Sequence, residues 1–121
     1  ADWKKVGTRR MTVKIDQPDV PQVNDYFLRV NYVADVAMAF IGGYLVLDHY
    51  YYGIPWTIGL RRFKNELKNE YLSFYFRPLR KDAPFIGDLP VEAIPDFSQK
   101  DADCLVRSVD VIPEYKAIVN I

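Results

Sequence analysis

Paired carboxylates, an acid beside a histidine, clustered aspartates and a run of aromatics are the groups in this chain whose types and spacing could do chemistry. Glu66 and Glu70 stand four residues apart, close enough to share one helical face. Cleavage of a glycosidic bond needs two such carboxylates across it. Lys64 and Lys68 interleave with them, which is the composition of a solvated face. His49, the sole histidine, follows Asp48, so an Asp-His dyad is conceivable. Adjacent strand residues point to opposite faces, however, and no serine or cysteine nucleophile lies nearby in sequence. A metal would need further ligands beside the imidazole, so a structural or surface role is expected for His49. Asp96, Asp101 and Asp103 carry the hard oxygen ligands that calcium takes. Their segment lacks a glycine-rich ligand loop, and a solvated acidic turn is the default. A structural calcium is the one cofactor these residues leave open, and none is otherwise expected. Asp35, between two strand-like runs, reads as a turn aspartate accepting local backbone N–H groups.

The richest contact chemistry lies in Tyr50-Tyr51-Tyr52-Gly53-Ile54-Pro55-Trp56, followed by Arg61 and Arg62. An aromatic ring offers a flat apolar surface with a polar tip, suited to the C–H faces of a sugar. Tyr50, Tyr51, Tyr52 and Trp56 could form a stacking platform, with Arg61 and Arg62 donating to hydroxyls. Against this, alternation prevents three consecutive tyrosines from facing one way, and Trp56 is expected to be buried. Cys104, the single cysteine, excludes an intrachain disulfide and reads as a small apolar strand residue.

The chain that must position these groups has 121 residues, half of them hydrophobic, which suits a single domain spanning 1–121 with a real core. Sixteen basic and sixteen acidic side chains cancel. Phosphate binding needs a basic excess, so neither nucleic acid nor a membrane surface is an expected partner. No apolar run approaches the roughly 18 residues of a membrane span. Ala1-Asp2-Trp3-Lys4-Lys5 does not read as a signal peptide, and the missing initiator Met points to a mature protein or an excised domain.

A two-residue hydrophobic period dominates. Met11, Val13 and Ile15 share a face; Tyr26, Leu28, Val30 and Tyr32 share another, opposite Phe27, Arg29 and Asn31; Val36, Met38 and Phe40 continue the pattern. Pro18 and Pro21 break the first strand. Gly42-Gly43 predicts a tight hairpin turn, with Tyr44 to Leu47 returning. A short helical turn is expected over Phe63 to Leu67, then a strand over Tyr71 to Phe76 with Leu72, Phe74 and Phe76 on one side. A proline-spaced loop with one short strand covers Pro84 to Ser98, and strands over Leu105 to Ile112 and Lys116 to Ile121 close the chain. Roughly eight short strands with no crossover helices imply an all-β fold, an antiparallel β-sandwich or jelly roll.

Three segments then carry a family resemblance: 27–37 (FLRVNYVADVA), 42–53 (GGYLVLDHYYYG) and 55–63 (PWTIGLRRF), with weaker echoes in Arg77-Pro78-Leu79 and Val111-Ile112-Pro113-Glu114-Tyr115. Together they resemble the jelly-roll, galactose-binding-domain-like accessory domains of bacterial family 35 glycoside hydrolases, the β-galactosidase group. The close match covers about a third of the chain. Ala34 stands where that family usually has glycine, Gly42 replaces its turn aspartate, Tyr52 its asparagine and Thr57 its glutamate. The family's catalytic carboxylates sit on a separate (β/α)8 barrel of on the order of 250 residues. The resemblance therefore implies a non-catalytic accessory domain of a glycoside hydrolase, with a secreted or periplasmic parent. Its partner would be the catalytic domain of the same polypeptide, met through Tyr50, Tyr51, Tyr52, Trp56, Arg61 and Arg62. The alternative is a carbohydrate-binding module that takes galactosides or plant polysaccharide on those same residues.

Overall fold

The computed structural model describes residues 8–116; the expected last strand over Lys116 to Ile121 lies outside them except for Lys116, which is not in a strand. Among the described residues nine strands form: β1 (Arg9–Val13), β2 (Val23–Val33), β3 (Val36–Ile41), β4 (Tyr44–Tyr50), β5 (Trp56–Gly59), β6 (Leu72–Arg77), β7 (Leu79–Arg80), β8 (Ala102–Asp103) and β9 (Leu105–Tyr115). The one α-helix among them is a single turn, α1 (Lys64–Leu67), preceded by a 3-10 turn over Arg61–Phe63. All pairings are antiparallel. One sheet has the order β1-β6-β3-β4, a second β5-β2-β9, and β7 pairs with β8. The all-β expectation holds at this level.

The inner faces of the two larger sheets share one core. Leu28, Val30 and Tyr32 of β2, Trp56 and Ile58 of β5, Ala37, Ala39 and Ile41 of β3, and Leu72, Phe74 and Phe76 of β6 belong to the same buried cluster. Rings join the layers directly: Trp56 meets Phe74 edge-on with centroids 5.8 Å apart, and Tyr32 lies 5.4 Å from Phe76. Cys104 is buried between β8 and β9, not within a strand as expected, with its S–H pointing to the Phe76 carbonyl.

Strand β3 changes the inward phase. Val36, Met38 and Phe40 share one face, as their alternation predicts, but it is not the face that lines the core. Instead Ala37, Ala39 and Ile41 pair in register with inward Phe76, Phe74 and Leu72; Met38 and Phe40 are half-buried on the other face, and Val36, outside the main core cluster, is itself covered at 6% exposure. The reason is the connection. Ala34 and Asp35 carry the chain from the three-stranded to the four-stranded sheet, and the inward set changes from even to odd numbers there. Asp35 holds this step through every polar group it has. Its N–H donates to the Arg77 carbonyl at 2.7 Å, its carbonyl accepts from the Tyr51 N–H at 3.1 Å, and its carboxylate accepts from the Arg77 guanidinium at 2.8 and 3.1 Å. The carboxylate thus bonds a neighbouring strand's arginine and not the local N–H groups expected of a turn aspartate.

Three smaller differences have equally local causes. Gly42 and Gly43 form the hairpin turn at φ of 57° and 83°, conformations that glycine takes without steric cost. The returning strand β4 runs on past Leu47 to Tyr50, with a bulge opposite Ala39 and Phe40. Strand β9 continues through Pro113 to Tyr115, because among the described residues β9 pairs with β2 alone and an edge strand tolerates a missing N–H. The segment 84–98 contains two 3-10 turns, Ile86–Asp88 and Val91–Ala93, and no strand.

Urea denaturation checks this arrangement. Phe76→Ala empties a fully buried site and is expected to cost roughly 3–5 kcal/mol. Asp35→Ala removes a half-exposed ion pair at the sheet crossing and is expected to cost about 1–2 kcal/mol. An Asp35→Ala midpoint equal to wild type would mean that backbone bonds alone hold the crossing.

Candidate functional site

The residues expected to form one contact surface are divided among four places. Tyr51 is 8% exposed, and its hydroxyl donates to the Ala93 carbonyl at 2.6 Å. It is a pin between the 51–55 loop and the 3-10 turn at Val91–Ala93. Gly53 serves the same closure: at φ +97° its Cα lies so near Ala93 that an added Cβ would stand 2.6 Å from the alanine Cβ. Trp56 is buried at 7% exposure, as expected, with its indole stacked on His49 (centroids 5.1 Å, planes 9° apart).

Tyr50 and Tyr52 are exposed, at 68% and 50%, but on different sides of β4. Tyr50 pairs with Val36 on the outer face of the four-stranded sheet. Tyr52 lies against the opposite-facing His49, ring centroids 5.3 Å apart. Arg61 and Arg62 lie elsewhere. The Arg61 N–H donates to Asp25 near the start of β2, whereas the tyrosine loop hangs from Asp35 beyond its end. At the rise of an extended strand those anchors are on the order of 25–30 Å apart. Arg62 folds back over the Phe63 ring, 4.7 Å from its centroid. In 55–63 the alternation of Trp56, Ile58 and Leu60 into the core explains the apolar half of the segment, and the arginines are left at its far end.

The acidic candidates are equally dispersed. Glu66 and Glu70 are both exposed, and Lys64 is engaged by Asp19. Asp101 pairs with Lys81 and Asp103 with Lys100, while Asp96 accepts from the Ser98 N–H. Among the described residues no three His, Cys, Asp or Glu side chains group as metal ligands.

Two arrangements escaped sequence reasoning. The first is the buried His49 environment. The Tyr32 hydroxyl meets His49 Nδ1 at 2.5 Å, and His49 lies between Tyr32, Tyr52 and Trp56. Burial pushes the Tyr32 phenol well up, and its O–H also lies 3.3 Å from the His49 carbonyl as a second acceptor. Burial likewise lowers the His49 pKa, which disfavours the imidazolium. The second is a cleft of about 340 Å3 formed by the 17–21 loop, the start of β2, Arg61, Lys64 and Lys116. Only the prolines of that loop were informative in sequence, as strand breakers; the side chains that complete the cleft come from three distant segments.

Compared with protein-family models, curated proteins and solved structures, the chain finds no match. The arrangement of its own residues is therefore what bears on function.

The neutral imidazole has a measurable consequence. Between its folded pKa and the ordinary value of 6.5 the unfolded chain binds more protons, so stability rises with pH there. His49's contribution is fully present above about pH 6.5 and is lost as pH falls from there through the folded value. Urea midpoints between about pH 7 and pH 5 are expected to fall in the wild type and to fall less in His49→Gln, which keeps an acceptor for Tyr32. Identical pH profiles would remove the histidine from this role.

Proposed function

We propose that this is a non-catalytic accessory domain of a glycoside hydrolase of the β-galactosidase type, jelly-roll and galactose-binding-like in fold, that docks on the catalytic barrel of the same polypeptide. The observation that carries the docking reading is the outer face of the four-stranded sheet. A solvated face of an antiparallel sheet normally alternates to polar residues. Here half-buried Met38 and Phe40 of β3 lie beside half-buried Tyr75 of β6 and Tyr50 and Leu45 of β4, with Val36 covered at the end of the row. Tyr50 and Leu45 are 68% and 54% exposed. Around them stand Arg10, with its guanidinium 5.4 Å from the Tyr75 centroid, Arg77, and Asp48 opposite Met38. A depression of about 380 Å3 between Asp35, Tyr75, Arg77 and Pro78 lies at one end of it. Large apolar and aromatic groups inside a rim of arginine and aspartate match the anatomy of a protein interface.

This reading moves the contact surface. Of the six residues first considered, Tyr50 alone belongs to the sheet face. A sugar platform of Tyr50, Tyr51, Tyr52 and Trp56 would need rings that are variously buried and turned to opposite sides of β4. The dispersal of Glu66, Glu70 and the aspartates is in keeping with a domain that leaves the chemistry to its partner.

The full reading frame around this segment is expected to encode a (β/α)8 barrel. In that parent protein Met38→Lys and Phe40→Glu are expected to lower the melting temperature of the catalytic domain, by roughly 2–4 °C for each kcal/mol of interface lost. The isolated 121-residue domain should melt as before. A parent with no barrel, or a barrel indifferent to both substitutions, would overturn the proposal.

A further inference from the structure

We infer that the cleft between the 17–21 loop, the start of β2 and the post-β5 turn is a binding site for a small neutral polyhydroxylated ligand, a mono- or disaccharide or a polyol. The volume of about 340 Å3 is at the low end of the roughly 300–1,000 Å3 range of small-molecule sites. It has room for a short ligand and none for the interior of a long chain.

Ligand class follows from charge and from what is already engaged. Arg61, Lys64 and Lys116 line the cleft together with Asp19 and Asp25, and Glu114 lies just behind Asn24. Three cations and three carboxylates leave no net field to select a charged ligand. Lys64 is engaged by Asp19. One oxygen of Asp25 accepts the Tyr26 and Arg61 N–H groups at 2.7 and 2.9 Å, which fixes the carboxylate and leaves its second oxygen as an acceptor. Asn24 is fixed as well: its amide donates to Glu114 at 2.6 Å, and its carbonyl oxygen accepts from Arg61 Nη1 at 3.2 Å. That one bond uses a single donor of the five on a guanidinium. The Lys116 ammonium has no ion-pair partner among the described residues.

The cleft thus presents unused guanidinium and ammonium donors alongside an oriented carboxylate acceptor. A hydroxyl is both donor and acceptor, so adjacent hydroxyls can accept from Arg61 and donate to Asp25 together. A carboxylate ligand would satisfy the cations and repel Asp25; an amine would do the reverse. The half-buried Tyr26 ring, held by its O–H donating to the Pro18 carbonyl at 2.9 Å, supplies an apolar wall. None of these residues belongs to the docking face, so this inference and the docking proposal stand or fall separately.

Amide NMR of the labelled 121-residue chain, titrated with galactose, lactose, myo-inositol and galacturonate to about 50 mM, tests this in the affinity range of such small sites. Saturable shifts are expected for the neutral probes at Asn24, Asp25, Arg61 and Lys116. Arg61→Ala is expected to weaken binding by roughly tenfold or more, since it removes charge-assisted bonds. Lys116→Ala, which keeps the backbone bond from the Lys116 N–H to the Gln22 carbonyl and breaks no ion pair among the described residues, is expected to weaken it as well and serves if Arg61→Ala unfolds. Tyr50→Ala is expected to leave it unchanged. Absence of any shift with all four probes, shifts centred on Tyr50 and Tyr52, or preferential binding of galacturonate that salt abolishes would each overturn the assignment.

Discussion

The fold depends on how the chain steps from one sheet to the other at Ala34 and Asp35. With Ala34 fully buried, Asp35 ties its N–H and carboxylate to Arg77 and its carbonyl to Tyr51. Three segments, the end of β2, the end of β6 and the loop after β4, are thereby joined at one residue. The step also sets the phase of β3. Because the inward set changes there, alanines lie beside the large rings of β6 in the same sheet, and a methionine and a phenylalanine are left half-buried on the other face. Core volume fits this phase: Phe74 and Phe76 already occupy the inner layer, and small residues beside them let Trp56 and Tyr32 reach across.

The same step organises the aromatic loop. Tyr51 hangs from Asp35 by its backbone and from Ala93 by its hydroxyl, so the loop is closed over the end of the core. His49 and Trp56 stack beneath it, with the Tyr32 hydroxyl hydrogen-bonded to the imidazole. The aromatic density of 49–56 is largely a packing device at the junction of two layers. Exposed contact chemistry is left to the outer face of the four-stranded sheet and to the polar cleft at the other end of β2.

Much of the architecture was legible in the chain. The alternation of Tyr26 to Tyr32, the Gly42-Gly43 turn and the inward Leu72, Phe74 and Phe76 follow from a two-residue period and glycine's tolerance of positive φ. The phase of β3 was not, because a period shows which residues share a face and cannot show which face is inside once the chain changes sheets. Strand β9 was read too short because proline's meaning depends on whether its strand is an edge. Burial of Trp56 and the opposition of Tyr50 to Tyr51 were legible from setting and simple alternation; the turn of Tyr52 to the His49 side was not, because β4 ends at Tyr50. Separation of the arginines from the tyrosines was not, since residues close in sequence lie at opposite ends when a strand intervenes. The cleft was invisible because Asn24, Arg61 and Lys116 meet only in three dimensions.

The central claim, that the sheet crossing turns the large side chains of β3 outward, is tested most directly by thiol accessibility. Single cysteines placed at Ala37, Met38, Ala39 and Phe40 can be challenged with a water-soluble maleimide in the folded protein. Native Cys104 is buried and burial raises its pKa, so it contributes little background. The structure predicts rapid labelling at 38 and 40, and labelling at 37 and 39 only after denaturation. Protection at 38 and 40 with rapid labelling at 37 and 39 would contradict it.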